Sequence, residues 1–409
     1  MISQEAHFTF LDTGHIATPK GWQAGVAASE IRYRGRNDVA LLVSERPCTA
    51  AALFTTNKVK AAPVLYDQAL LERNSTGIQA VVINSGIANA CTGEPGLAAT
   101  TATAENSEKI LSLPKDSVFV MSTGVIGMQL PVEKLLLGIK KAAQALDSAN
   151  GPAAARAIMT TDTHPKDCAL QVLLPSGGQI QLGGMAKGAG MIHPNMATLL
   201  SLITTDAVVN PTFLHSALQS AADRSFHCIS IDGDTSTNDT LLVLANGCSG
   251  VEISDSADKK AFIEGLTLVC QRLAQEIVRD GEGATRFITI EVCGALNDGA
   301  ARQAGMTIAK SSLVKTALFG ADPNWGRVVC ALGYSGVELE PERVILHFGG
   351  MKVFEHGLPL DFDEKAAHNL LNMPEVLIEA DLGLGEGKAT IWTCDFSYEY
   401  VKINAEYRT

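Results

Sequence analysis

A lysine and a threonine eleven residues apart mark the part of this chain best suited to chemistry. Lys187 lies among four glycines within residues 183–190, and Thr198 directly follows the small residue Ala197. A β-hydroxyl after a small residue in a constrained loop suits an N→O acyl shift, in which Thr198 Oγ attacks the carbonyl carbon of Ala197. Ester hydrolysis would leave Thr198 as a new N-terminus, whose α-amine has an ordinary pKa of about 7.7–8.0 and can activate the adjacent hydroxyl. The alternative is an ordinary glycine-rich loop that enters a buried strand.

Two segments before this region carry hydroxyl groups. Thr123 and Gly124 follow an apolar run, where a hydroxyl and a backbone N–H can hold the oxyanion of an acyl-transfer intermediate. The same dipeptide is also compatible with a simple turn. Thr160 and Thr161 begin a polar cluster that extends to Lys166, and such a cluster is equally typical of a helix cap and turn.

Charged residues in glycine-rich surroundings suit the binding of an amino acid. The Lys187 ammonium can pair with a substrate carboxylate, although an exposed loop lysine is the simpler interpretation. Glu282, between Gly281 and Gly283, can meet a cationic amine, or it can simply belong to a turn. The C-terminal residues 403–409 have the composition of a frayed tail.

The segment from Lys187 to Leu200, Lys-Gly-Ala-Gly-Met-Ile-His-Pro-Asn-Met-Ala-Thr-Leu-Leu, resembles the autoprocessing signature of the ornithine acetyltransferase family of arginine biosynthesis. The resemblance implies cleavage between Ala197 and Thr198, with Thr198 as nucleophile and Thr123 and Gly124 as the oxyanion hole. It implies substrate contacts for Thr160 (or, as second choice, Thr161), Lys187, Thr198, Glu282, Asn404 and Thr409. His193 lies where the family varies and is not expected to act as a base.

The resemblance further implies an acetyl transfer from N2-acetyl-L-ornithine to L-glutamate through an acetyl-threonine intermediate, with no cofactor and no metal. It leaves open whether acetyl-CoA is also a donor. One alternative is an autocleaving aminopeptidase or amidase that passes its acyl group to water. Another is an uncleaved binding protein whose loop at 183–190 holds an anion through backbone N–H groups.

Composition limits the class of protein and its partners. The 409 residues carry a formal net charge of −12, which argues against nucleic acid and anionic membranes as partners. No apolar run reaches the roughly 18 residues of a membrane span, and residues 1–7 lack the basic and apolar regions of a secretory signal, so we expect neither feature. Nine dispersed cysteines without a Cys-x-x-Cys pair predict free thiols in the cytoplasm. The acidic loop 231–239 lacks the closing glutamate of a calcium loop.

The hydrophobic pattern predicts an α/β (α+β) protein with a helix-covered β core. Predicted strands cover 39–43, 78–84, 118–121, 199–204, 287–292, 344–348, 376–380 and 389–395, with a hairpin loop at 383–387. Predicted helices cover 98–111, 131–146, 152–159, 211–225, 259–280 and 308–318. The resemblance implies a layered core of the ornithine acetyltransferase/DmpA-like type with a C-terminal α/β lobe. It implies an α fragment of residues 1–197 and a β fragment of 198–409, in which 198–290 completes the core and 291–409 forms the lobe. It also implies a heterotetramer of two α and two β fragments.

Overall fold

The computed structural model describes residues 5–193 and 199–406, which form two sheets covered by helices. The strands are β1 His7–Phe10, β2 Trp22–Ala27, β3 Val39–Phe54, β4 Ile78–Ile87, β5 Val118–Val125, β6 Lys166–Leu173, β7 Gln179–Lys187, β8 Leu200–Thr205, β9 Ile229–Ser230, β10 Thr240–Ala245, β11 Phe287–Ala295, β12 Ile345–Phe348, β13 Met351–Glu355, β14 Leu358–Pro359, β15 Glu375–Asp381 and β16 Gly387–Cys394. The helices are α1 Ala62–Arg73, α2 Gly93–Leu111, α3 Val132–Gln144, α4 Gly151–Ala157, α5 Pro211–Asp223, α6 Ser256–Arg279, α7 Asp298–Lys310, α8 Ser312–Phe319, α9 Trp325–Gly333, α10 Glu364–Leu371 and α11 Tyr398–Glu406. Short 3-10 helices cover Ser148–Asn150, Phe226–Cys228 and Pro341–Arg343.

The long strand β3 belongs to both halves of the first sheet. Residues 39–44 of β3 pair with β2 and β4, and β4 pairs in parallel with β5; we call this the small half. Residues 49–54 pair with β10, from which the order continues through β8, β7 and β6 to β1; we call this the large half. The pairing register shifts between Val43 and Cys48, where one half passes into the other.

Both halves of this sheet are buried on two faces. In β10, Leu242 and Leu244 join a core shared with Ile83 and Phe119 of the small half, whereas the alternate residues face a second core that includes α5 and α6. The small half packs its other face against α2 and α3. Strands covered on both faces have nearly continuous apolar sequences, as β8 and β10 do. The predicted helix-covered α/β core is confirmed.

The second sheet has the order β14-β13-β12-β15-β11-β16-β9. Its apolar residues continue the core that contains α5 and α6, and α7 packs against β11 and β16. The hairpin predicted at 383–387 is wrong, because β11 lies between the two strands that this segment connects. β15 pairs with β11 in parallel, and β16 pairs with β11 on its other side. The sequences of β15 and β16 do not indicate that a third strand, β11, lies between them.

The predicted strands are all present, but the helices differ from prediction in places. The helix predicted at 308–318 is divided between α7 and α8, because Ser311 has extended backbone angles and its side chain accepts a hydrogen bond from the Val314 N–H. Helices α1, α9, α10 and α11 were not predicted. No helix in the described ranges is long and apolar enough to cross a membrane.

Candidate active site

The ends of several strands from both halves of the first sheet meet at one cavity. Lys187 is the last residue of β7 and pairs with Leu200, the first residue of β8, which in turn pairs with Thr240 at the start of β10. The Asn238 side-chain amide joins the two halves there, donating to the carbonyl oxygens of Ala88 at 2.7 Å and Ser122 at 2.8 Å. The segment 231–239 therefore fixes the small half against the large half.

Seven predicted site residues line this cavity. They are Thr123, Gly124, Thr160, Thr161, Lys187, Glu282 and Asn404. Ala197, Thr198 and Thr409 lie outside the described residues, although Leu199, next to Thr198, is described and buried. The structure thus brings together side chains that are up to 281 positions apart in the sequence, from Thr123 to Asn404.

Thr123 and Gly124 stand near the end of β5, where its pairing with β4 becomes irregular. Gly124 has φ +131°, and a Cβ at this position would lie 2.2 Å from the carbonyl carbon of Gly86. Only glycine fits this conformation and this close approach of two chains. The register between β4 and β5 shifts at this point, and Thr123 and Gly124 both line the cavity.

The Lys187 ammonium is buried and connects two of the predicted hydroxyl groups. Lys187 Nζ donates to Thr160 Oγ1 at 2.7 Å and to Thr123 Oγ1 at 3.3 Å. Its side chain is not the exposed loop lysine of the simpler interpretation. Burial lowers the pKa of Lys187, and the nearby Asp162 carboxylate opposes this shift. A poorly hydrated cation with hydroxyl neighbours is well suited to hold a carboxylate.

Asp162 organises the same cluster and was not predicted as a site residue. Its Oδ1 accepts from Lys166 Nζ and from the Gly188 N–H, both at 2.7 Å, and its Oδ2 accepts from the Thr160 N–H at 3.0 Å. Burial disfavours its charge, but Lys187 and Lys166 together hold the pKa of Asp162 below its usual range. Asp162 therefore sets the positions of Thr160 and of the chain that follows Lys187.

Lys166 extends this network across the molecule and was likewise not predicted. Its fully buried ammonium contacts Asp162 and also Asp280, at 2.5 Å, in the turn after α6. Asp280 accepts from the Thr163 N–H as well. In sequence, the cluster at 160–166 has the composition of a turn, and only the tertiary fold brings Asp280 to it.

An acidic group faces the opposite side of the cavity. The Glu282 N–H donates to the Ala189 carbonyl oxygen at 2.7 Å, and Glu282 Oε2 accepts from Asn404 Nδ2 at 2.9 Å. A Cβ on Gly190 would lie 2.5 Å from the Glu282 carboxylate, so glycine there makes room for the acid. Asn404 belongs to α11, so the described part of the C-terminal segment, residues 403–406, is helical and brings Asn404 to the site.

Asp232, in the acidic loop 231–239, supports the chain that leads to residue 198. Its two carboxylate oxygens accept from the N–H groups of Met191, at 2.5 Å, and Ile192, at 2.8 Å. Burial raises the pKa of Asp232 to about 6. Within the described ranges, no group of three His, Cys, Asp or Glu side chains is arranged to hold a metal ion.

The cavity combines a buried cation, a carboxylate and several hydroxyl groups. This set complements a small zwitterion: Lys187 suits a carboxylate, and Glu282 with Asn404 suits an amine. The Thr123 hydroxyl and the backbone around Gly124 suit a developing oxyanion. These groups lie close to the start of β8 at Leu200, two positions after the predicted nucleophile Thr198.

Comparison with known proteins identifies relatives along most of the chain. Residues 23–409 match the model of the ArgJ family. The arginine biosynthesis bifunctional protein ArgJ of Symbiobacterium thermophilum is 49% identical over 401 residues, which cover 97% of this chain and 99% of that protein.

Two solved structures are also similar. The crystal structure of the bifunctional ArgJ from Bacillus halodurans is 41% identical, with a TM-score of 0.48, and the match covers 50% of this chain and 97% of the other. The ornithine acetyltransferase of Mycobacterium tuberculosis, solved with ornithine, is 37% identical, with a TM-score of 0.42 and coverage of 47% and 100%.

Proposed function

Because this chain belongs to the ArgJ family and is an acetyltransferase of arginine biosynthesis, we propose that it moves acetyl from N2-acetyl-L-ornithine to L-glutamate through an acetyl ester on Thr198. The observation that carries this proposal is the convergence of Thr123, Thr160 and Lys187 on one cavity at the start of β8. β8 begins two residues after Thr198.

The chain first cleaves itself between Ala197 and Thr198. Thr198 Oγ bonds to the carbonyl carbon of Ala197, the C–N bond breaks, and the hydroxyl proton passes to the nitrogen. Water then hydrolyses the ester, which leaves a carboxylate on Ala197 and a free amine and hydroxyl on Thr198. The products are the α fragment of residues 1–197 and the β fragment of residues 198–409. The subdivision of the β fragment into 198–290 and 291–409 is part of the same proposal.

Acetyl transfer then uses the new amine as the base. The Thr198 amine takes the proton from its own hydroxyl as Oγ bonds to the acetyl carbonyl carbon of acetylornithine. The Thr123 hydroxyl and the Gly124 N–H stabilise the oxyanion. The C–N bond breaks, the ammonium returns its proton to the leaving amine, and ornithine departs. The amine of glutamate attacks the acetyl ester by the reverse sequence of steps.

One pocket serves both half-reactions because the product of the first and the substrate of the second share an α-amino acid head. Lys187 pairs with the α-carboxylate, and Thr160 contacts the same end of the substrate, with Thr161 as the alternative. Glu282 and Asn404 face the side-chain amine of ornithine, and Thr409 contributes from the C-terminus. Ping-pong kinetics follow from a shared covalent intermediate.

The finer features of the protein are also proposals. Acetyl-CoA serves as a second donor, in keeping with the bifunctional names of the relatives. Two α and two β fragments form a heterotetramer, whose mass would be twice the 43.1 kDa of the chain. The cytoplasm is the proposed compartment, and its reducing conditions suit the nine cysteines, all of which are free.

The experiment that tests the function follows acetyl transfer and hydrolysis side by side. Purified enzyme is incubated with acetylornithine, with and without glutamate, and ornithine, acetylglutamate and acetate are quantified. We expect ornithine release to depend on glutamate and to equal acetylglutamate formed. Release of ornithine and acetate at the same rate without glutamate would instead identify an amidase.

A further inference from the structure

A buried carboxyl group, Asp239, contacts Leu199, the residue that follows the proposed nucleophile, and has no role in the mechanism above. Asp239 precedes β10, and its Oδ1 accepts from the Leu199 N–H at 2.8 Å. The next residue, Thr240, donates its N–H to the Leu199 carbonyl oxygen at 3.1 Å. Both backbone polar groups of the residue after Thr198 are therefore held by Asp239 and its neighbour.

The second carboxyl oxygen of Asp239 is available for another donor. The residue is fully buried, and no donor among residues 5–193 and 199–406 meets hydrogen-bond geometry at Oδ2, although the hydroxyl groups of Thr55 and Ser236 lie near the carboxyl group. The main chain of Asp239 is fixed, since its carbonyl oxygen accepts from the Thr55 N–H at 3.0 Å. A buried carboxylate oxygen without a partner is costly, so its position beside Leu199 points to a donor contributed by the preceding residue.

Covalent geometry places such a donor within reach. The nitrogen of Thr198 precedes the nitrogen of Leu199 by one residue, and one residue spans at most about 3.3–3.6 Å. A carboxylate that holds the Leu199 N–H through one oxygen can therefore hold the α-amine of Thr198 through the other. Cleavage before Thr198 converts that nitrogen into an amine with additional N–H groups to donate.

We propose that Asp239 is the positioning residue for the Thr198 α-amine, so that hydroxyl, amine and carboxylate form a three-part relay. The inference rests on the proposed function, in which that amine is the base. When the amine takes the Oγ proton and becomes an ammonium, the Asp239 carboxylate stabilises the new charge. No proton is transferred to Asp239 in this step. The aspartate of a Ser-His-Asp triad supports its base in the same way.

Several charged and polar groups surround Asp239, and none of them is altered by a substitution of Asp239 itself. Burial raises the pKa of Asp239 well above its usual range, while the Leu199 N–H and Lys187 oppose that shift. Lys187 in turn interacts with Asp162, Lys166, Glu282 and Asp239. The hydroxyl groups of Thr55 and Ser236 also favour the charged form of Asp239.

The test is Asp239→Asn in the full chain. Asparagine can still accept from the Leu199 N–H, so we expect a folded and cleaved protein. Its amide presents a donor to the amine in place of an acceptor, and kcat should fall by about 10²–10⁴-fold. The KM for acetylornithine should change much less. Loss of the negative charge lowers the pKa of the amine, so the acid limb of the kcat/KM profile should move to lower pH.

Asp67 provides a matched control. It is also buried, its Oδ1 accepts from the Val120 N–H at 3.0 Å, and its Oδ2 likewise has no partner within the described chain. Asp67→Asn makes the same chemical change away from Thr198 and should leave the acid limb where it is in the wild type. An Asp239→Asn chain that stays uncleaved, or whose acid limb coincides with that of the wild type, would overturn the inference. Failure of the wild type to cleave or to transfer acetyl would instead refute the proposed function.

Discussion

Burial disfavours the positive charge of Lys187, whereas the nearby Asp162 carboxylate favours it. The ammonium is enclosed beside two threonine hydroxyls, and its nearest carboxylate, Asp162, lies 3.9 Å away while contacting Lys166 at 2.7 Å. A charge held in this way is weakly neutralised by the protein itself. A substrate carboxylate can supply the missing partner and so stabilise the ammonium form of Lys187 when the site is occupied.

The lowered pKa of Lys187 predicts a pH dependence of substrate binding. Burial lowers its pKa from the ordinary value of 10.5, so its positive charge is lost at a lower pH than that of an exposed lysine. The KM for acetylornithine should rise as the pH increases through that lowered pKa. Steady-state kinetics between pH 7 and 10 measure this rise. In Lys187→Met this rise should be absent, and identical profiles for the two proteins would contradict the assignment.

Substitution of Thr123 tests whether its hydroxyl group stabilises the oxyanion. Thr123→Val keeps the shape of the side chain but removes the donor, and kcat should fall on the order of 10²–10³-fold. Thr123→Ser, which retains the hydroxyl, should keep most of the activity. Single-turnover acetylation of the β fragment, followed by mass spectrometry, measures the step directly. Equal rates for the valine and serine variants would exclude Thr123 from the step.

Individual site residues could be predicted where their chemistry stands out from the surrounding sequence. Lys187 among glycines and Glu282 between glycines are such cases, and both line the cavity. Asp162 and Lys166 could not be singled out, because their pairing depends on burial and on contact with Asp280. Asp239 similarly acquires its significance from the parallel pairing of β8 and β10.

The C-terminal helix α11 contributes to the site without belonging to the core. None of its described residues is buried, yet Tyr400 and Asn404 line the cavity. Aromatic stacking of Phe396 on Tyr400, with ring centroids 4.6 Å apart, attaches the start of the helix. An element held by so few contacts can influence substrate binding with little effect on the stability of the fold.

Asn404→Ala tests this division of roles. Removing the amide takes away the hydrogen bond to Glu282 and should raise the KM for acetylornithine about 10–100-fold, as expected when a hydrogen bond to a charged group is lost. The melting temperature should stay within about 2 °C of the wild-type value, because such surface substitutions change stability little. Glu399→Ala is the control, because Glu399 lies on the same helix and pairs with Lys402 instead of with a residue that lines the cavity. A KM unchanged by Asn404→Ala would remove α11 from the binding site.

At the level of elements, hydrophobic pattern predicted the buried strands best, since strands covered on both faces are almost entirely apolar. It failed where pairing depends on distant partners. The segment at 383–387 connects β15 to β16 across β11, although its sequence resembles a simple turn. Helix α11 also went unpredicted, because an element without a buried face carries little hydrophobic periodicity.

At the scale of the whole molecule, the two proposed fragments share the first sheet, whereas every strand of the second sheet belongs to the β fragment. β7, in the α fragment, pairs with β8 of the β fragment over residues 182–187, and β3 pairs with β10 over residues 49–54. The buried Lys166 of one fragment contacts Asp280 of the other. Cleavage at residue 198 would therefore interrupt the chain without opening the core.

The cleaved enzyme should accordingly remain one particle and unfold cooperatively. Size-exclusion chromatography without denaturant should give a single peak that contains both fragments, and thermal unfolding followed by circular dichroism should show one transition. Separation of the fragments in mild denaturant, before loss of secondary structure, would contradict this expectation. The uncleaved Thr198→Ala chain provides the reference for both measurements.

Denaturing mass spectrometry of the purified protein shows whether Thr198 becomes an N-terminal nucleophile. We expect two fragments that meet between Ala197 and Thr198 in the wild type, and one intact chain of 43.1 kDa in Thr198→Ala. Brief exposure to acetylornithine should add one acetyl group to the β fragment. A folded wild-type protein that gives only the intact mass would contradict the mechanism.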